Sequence, residues 1–129
     1  MGKEKDTKIN HTVYNIEDVG QVQIADEVVA IIAGLAATEV EGVSSLAGNL
    51  TNEVISKVGM NKLSKGVKIV TEEDNHVAVR LGVNISYGYE IPKICAQVQD
   101  KVKNAIENMV GLEVTSIDIK IASVAVAGE

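Results

Sequence analysis

Residues 76–126 carry the strongest hydrophobic pattern in the chain. Val77, Val79, Leu81, Val83, Ile85 and Tyr87 alternate with Ala78, Arg80, Gly82, Asn84 and Ser86, the period of two that a half-buried strand shows. Beyond Gly88 the period changes. Ile91, Ile94, Cys95, Val98, Val102, Ile106 and Met109 recur at steps of three and four, one apolar stripe on a helix of roughly five turns that must lie on the sheet. Gly111 stops that helix. Val114, then Ile117, Ile119 and Ile121, then Val124 and Val126 describe a returning strand whose parity slips twice, which predicts bulges. Strand, crossover helix and strand make a βαβ unit.

Upstream, Val22 and Ile24 alternate with Gln21 and Gln23, and Asp26 and Glu27 stand where a helix N-terminus favours negative charge. In the helix that follows, Val28, Ile31, Ile32, Leu35 and Val40 form the apolar stripe, while Ala30, Ala33, Gly34 and Ala37 are small enough for another backbone to come close. Gly42 ends it, residues 43–46 read as a very short strand, and Leu50, Val54, Ile55 and Val58 predict a shorter helix reaching Gly59. Residues 66–71 read as a strand that Glu73, Asp74, Asn75 and His76 turn into the long strand as a β-hairpin. The first ten residues alternate charges without an apolar period, and residues 12–16 suit a short extended piece. The pattern predicts an α+β fold: a two-layer single domain with a mixed β-sheet, helices packed on one face and a C-terminal βαβ unit. Residues 1–18 are expected to be a flexible N-terminal segment and 19–127 the domain.

Composition narrows the function classes. Eighteen acidic against twelve basic residues leave a formal charge of −6, the wrong bulk field for nucleic acid or anionic lipid. The uncharged run 28–37 falls well short of the roughly 20 residues that span a bilayer. A single cysteine cannot form an internal disulfide, and the charged start of the chain has no apolar signal-peptide core, so a cytoplasmic protein is expected. His11, His76 and Cys95 stand apart, which predicts no metal site, and no glycine-rich phosphate loop can be written, which predicts no nucleotide cofactor. Cys95 falls inside an apolar stripe, where a thiol acts as a small hydrophobe. Paired carboxylates such as Glu39 with Glu41 fall beside turns and read as a solvated edge, so no catalytic residues are assigned and the chain is not expected to be an enzyme.

Two surfaces remain. The outward positions of the long strand, Ala78, Arg80, Asn84 and Ser86, are small and carry one charge among them, unusual for a face that simply meets water; they are the candidate interaction surface. Lys57, Lys62, Lys65 and Lys68 fall within twelve residues that hold no acid and form a candidate basic loop.

One set of motifs runs in order through the chain: Gly20-Gln21-Val22-Gln23-Ile24-Ala25 followed by Glu27-Val28; Ile32-Ala33 with Ala36-Ala37; Glu39-Val40-Glu41-Gly42-Val43; Gly66-Val67; Tyr87-Gly88 with Ile91; Gln99; and Gly111-Leu112. In this order and spacing the chain resembles the alkaline shock protein family of Gram-positive bacteria, small envelope-stress-response proteins. Many relatives carry a proline where Asp26 stands, a departure that bears on partners more than on fold. The resemblance implies a non-catalytic cytoplasmic protein of cell-envelope homeostasis, in some cases associated with membrane-anchored partner proteins or with control of fatty-acid synthesis. Together with the sheet face it predicts a self-associating interaction or scaffold module, a homo-oligomer that reaches the membrane through a protein partner and not by insertion. The alternative is a small RNA-binding or regulatory module using the Lys57–Lys68 loop. Three tyrosines and an acidic total speak against nucleic acid.

Overall fold

The computed structural model describes residues 10–16, 19–48, 50–51, 53, 55 and 66–126. Along the chain these form β1 (Asn10–Ile16), β2 (Gly20–Ala25), α1 (Asp26–Thr38), β3 (Val43–Leu46), β4 (Val67–Glu72), β5 (His76–Ser86), α2 (Ile91–Val110) and β6 (Glu113–Ala125). The segment expected to be flexible therefore includes a strand, β1, which pairs antiparallel with β2 as a separate two-stranded sheet leading into α1.

β5 is the centre of the main sheet. β6 lies parallel to it along its whole length. β4 pairs antiparallel with residues 76–81 and β3 with residues 83–85, so these two strands share the other edge of β5, end to end. They meet at Gly82, whose N–H donates to the Gly66 carbonyl (2.9 Å) and whose carbonyl accepts from the Ala47 N–H (2.8 Å). The junction is tight: a Cβ on Gly66 would stand 2.9 Å from Leu46 Cβ. The β4–β5 hairpin turns through Asp74 (φ 60°) and Asn75 (φ 62°), left-handed positions that Asx residues tolerate. In β6 the register steps over Thr115 and over Ala122, which are the two bulges that the parity slips predict.

Both helices pack on one face of this mixed sheet, giving the two-layer α+β fold with its C-terminal βαβ unit. Val77, Val79, Leu81, Val83 and Ile85 of β5 are all buried beneath them, as alternation requires. The α2 stripe is narrower than its sequence suggests. Ile94, Val98, Val102, Ile106 and Val110 form one ridge of four-residue steps, leaving Cys95 half-buried and Met109 69% exposed. α1 is rolled further. Its buried residues are Val29, Ala30, Ala33, Gly34, Ala36 and Ala37, while Ile31, Ile32 and Leu35 are half-buried and Val28 is exposed. The small residues face inward because α1 lies against both α2 and β4, where close approach buries more contact than large side chains at a distance. Gly42, just beyond α1, takes φ 103°, and a Cβ there would lie 2.8 Å from Ile94 Cδ1. Leu50 and Ile55 are buried; the rest of the helix expected up to Gly59 lies outside the described residues.

Side chains of α2 fasten it to β6. Gln99 Nε2 donates to the Ile117 carbonyl (2.9 Å). Glu107 Oε2 accepts from the Val114 N–H and from Lys103 Nζ, each at 3.0 Å. The Val114 N–H, helped by the Lys103 ammonium, holds the Glu107 carboxyl below the usual carboxylate range.

Two predictions follow from this packing. Leu81→Asp buries a carboxylate under the helices, removing about 1.5–3 kcal/mol of apolar burial and adding a desolvation penalty; thermal unfolding followed by circular dichroism should find no folded state at 25 °C, and a wild-type melt would refute the register. A carboxyl with a lowered folded pKa stabilises the fold above its unfolded pKa, and that contribution is lost as pH falls through the lowered value. Glu107→Gln should therefore be less stable than wild type at neutral pH in urea titrations, with the gap closing as the acid range is entered.

Candidate functional site

The sheet face away from the helices gathers residues from three strands. Register places Lys68 of β4 beside Arg80 of β5, and Arg80 beside Asp118 of β6. One step along, Gly82 pairs with Lys120; on the other side, Val70, Ala78 and Ser116 form a row of small or modest side chains. Lys68, Arg80, Asp118 and Lys120 are all exposed, and with Gly82 they line a shallow hollow of about 300 Å³. Among the described residues no ion pair engages any of the four, whereas Lys101 and Lys103 of α2 are held by Glu39 (3.3 Å) and Glu107 (3.0 Å). Three unpaired cations against one carboxylate thus sit together in a protein of net charge −6. Lys68 opposite Arg80 is a like-charge cross-strand pair, an arrangement that costs stability instead of adding it.

The residues singled out from sequence divide on this face. Ala78, half-buried, and Arg80, exposed, belong to the patch. Asn84 does not. It is 6% exposed, donates Nδ2 to Ser45 Oγ (2.8 Å) and the Leu46 carbonyl (3.3 Å), and accepts at Oδ1 from Ser123 Oγ (2.8 Å). Register shifts in β3 and at Ala122 bring both serines alongside it, so its amide clamps three strands and offers nothing to a partner. Ser86, half-buried, lies six residues beyond Arg80, roughly 20 Å along the strand, and its N–H bonds to Gly42. Of the basic loop, Lys68 stands on β4 within the patch, and Lys57, Lys62 and Lys65 lie outside the described residues. Asp118 and Lys120 are not among the residues singled out from sequence, although alternation of Ser116, Asp118 and Lys120 with Ile117, Ile119 and Ile121 places them on the outward face.

A second surface lies on the opposite side of the molecule. α1 and α2 flank a cleft of about 680 Å³ whose floor and walls include Ala36, Val40, Ala105 and Met109, with Glu39, Glu41, Asp100 and Lys101 at its charged positions. Tyr89 Oη donates to Glu41 Oε2 (3.2 Å), and the Glu41 charge raises the phenol's pKa.

Cys95 lines neither of these two surfaces. Burial pushes the Cys95 thiol above its ordinary pKa, so little thiolate is present at neutral pH. Among the described residues no three His, Cys, Asp or Glu come together as a metal site, and no helix is long and apolar enough to cross a membrane. In the folded protein Cys95 should react with a maleimide several-fold more slowly than in the urea-unfolded chain at the same pH; equal rates would contradict its placement.

The chain is 32% identical over 120 residues to uncharacterized protein YqhY of Bacillus subtilis (strain 168), covering 93% of this chain and 88% of that one. It is 32% identical over 108 residues to uncharacterized protein Spy1535 of Streptococcus pyogenes serotype M6, covering 84% and 81%. A second Bacillus subtilis protein, uncharacterized protein YloU, is 31% identical over 109 residues, covering 83% and 90%. No solved structure gives a significant match. Residues 14–126 match the profile of a family described as having a cell envelope-related function, and with that match across nearly the whole fold this chain belongs to the alkaline shock protein 23 family.

Proposed function

We propose that this protein is a non-catalytic, cytoplasmic interaction module of cell-envelope homeostasis that works by associating with its own copies through the open sheet face, and that reaches the envelope by docking on a membrane-anchored partner. The observation that carries this reading is the set of exposed cations Lys68, Arg80 and Lys120, unpaired among the described residues, on the open sheet face of an acidic protein. A face meant only for water gains nothing from a like-charge cross-strand pair. Small neighbours, Ala78, Gly82 and Ser116, leave the sheet open to close approach by another surface.

A basic face also suits a phosphate backbone. The exposed rings nearest in sequence, Tyr87 and Tyr89, lie past the end of β5 on the far side of Asn84 from Arg80. Among the described residues the patch thus offers charge without a stacking platform, which favours a protein partner over single-stranded RNA. A role in fatty-acid synthesis rests on family resemblance alone.

Light scattering across micromolar concentrations tests the reading. The mass of the wild type should rise above that of a monomer, and Ala78→Glu, which places a carboxylate among the cations, should return it to monomer without lowering the melting temperature by more than a few degrees. A monomeric mass throughout, with tight binding of unstructured RNA at physiological salt, would replace this reading with the nucleic-acid one.

A further inference from the structure

We infer that the contact between copies is heterologous: the basic sheet face of one copy seats on the acidic interhelical cleft of the next. The inference rests on the self-association proposed above and names the surface that the sheet face meets.

A symmetric contact centred on this patch would set Lys68, Arg80 and Lys120 against the same three cations, with Asp118 the carboxylate inside the cluster and Glu72 farther off, at the hairpin end of the same face. Like charges brought together across an interface disfavour it. The complementary sign is found on the same chain. In the cleft, Glu39 is engaged by Lys101, while Glu41 and Asp100 stand exposed. Between these charges Ala36, Val40 and Ala105 give the cleft apolar surface beside the amides of Gln97, Asn104 and Asn108, and Met109 projects from α2 with most of its surface open to water. On the sheet the matching ground is small: Ala78, Gly82 and Ser116 leave room for such a side chain.

The architecture supports the same pairing. β5 and β6 form a long parallel pair, with β4 and β3 antiparallel on the other edge of β5. Here the molecule's own helices cover one face. Stacked head to tail, the helical layer of a neighbour covers the other, so that each sheet lies between two helical layers. The α2 residues that line the cleft, such as Asp100 and Asn104, are exposed, while its Ile94–Val110 ridge is buried, so cleft and sheet face look in opposite directions. A contact between opposite sides of one molecule uses a different surface on each partner, so in a pair one copy keeps its cleft, and the other its sheet face, for a further neighbour.

Two charge-reversed full-length variants decide the matter by sedimentation velocity. Arg80→Glu with Lys120→Glu makes the sheet face acidic; Glu41→Lys with Asp100→Lys makes the cleft basic. Each variant alone should associate roughly 10-fold or more weakly than wild type, the factor expected from losing close charge pairs. Mixed at equal concentration, they should associate to within about threefold of wild type, because acidic sheet then meets basic cleft and basic sheet meets acidic cleft. Recovery on mixing also shows that neither variant failed to fold. If the cleft variant alone associates as well as wild type while the sheet variant does not, the sheet face is a contact but meets itself, and this inference falls while self-association stands. If the wild type is monomeric throughout, both fall.

Discussion

The structure depends on filling both edges of β5. Its helix-facing side chains are removed from water, but an interior strand is stable only when its backbone groups are paired as well. β6 supplies one edge in a single parallel run. The other edge takes two strands, because neither β3 nor β4 is long enough to cover it, and the seam between them falls at Gly82. Asn84 then ties three strands together just beyond the seam, through Ser45 and Ser123. β5 therefore cannot shift register without breaking the seam, the clamp and the core alternation together. That rigidity holds Lys68, Arg80 and Lys120, which are far apart in sequence, side by side on the open face.

The motifs that mark the family are explained by this framework more than by any chemistry. Gly42 has no room for a Cβ against Ile94 and Tyr89, and Gly66 has none against Leu46. Gly111 closes α2 in the left-handed conformation. Ala33, Ala36 and Ala37 lie in the tight packing of α1, and Gln99 fastens α2 to β6. Each maintains a close approach or a turn. Residues of this kind hold a shape, which is consistent with function residing in surfaces.

Much of this was legible in the sequence where one physical term dominates. Strict alternation put β5 in its register, and the slips of parity located both bulges of β6, because side-chain direction in a strand follows parity alone. Where two terms compete, the pattern along the chain misleads. Hydrophobicity points the large side chains of α1 inward, but close packing against α2 and β4 turned Ala30, Ala33 and Gly34 in and left Val28 exposed. Parity placed Asn84 on the open face correctly; its burial comes from Ser45 and Ser123, brought beside it by shifts in neighbouring strands. The candidate patch was half visible for the same reason. Arg80 and Lys68 could be named one strand at a time, while their meeting with Lys120 is a fact of sheet order, which the pattern along one strand does not carry.

On the function proposed above, the charged sheet face is a surface between molecules. Lysine acetylation, followed residue by residue by mass spectrometry from dilute to concentrated protein, addresses it in the unmodified chain, with Lys103 of α2, held by Glu107, as the internal reference. The account predicts that Lys68 and Lys120 lose reactivity together over the concentration range in which the mass rises, while Lys103 does not change. Association with Lys68 and Lys120 as reactive as in the dilute protein would contradict it.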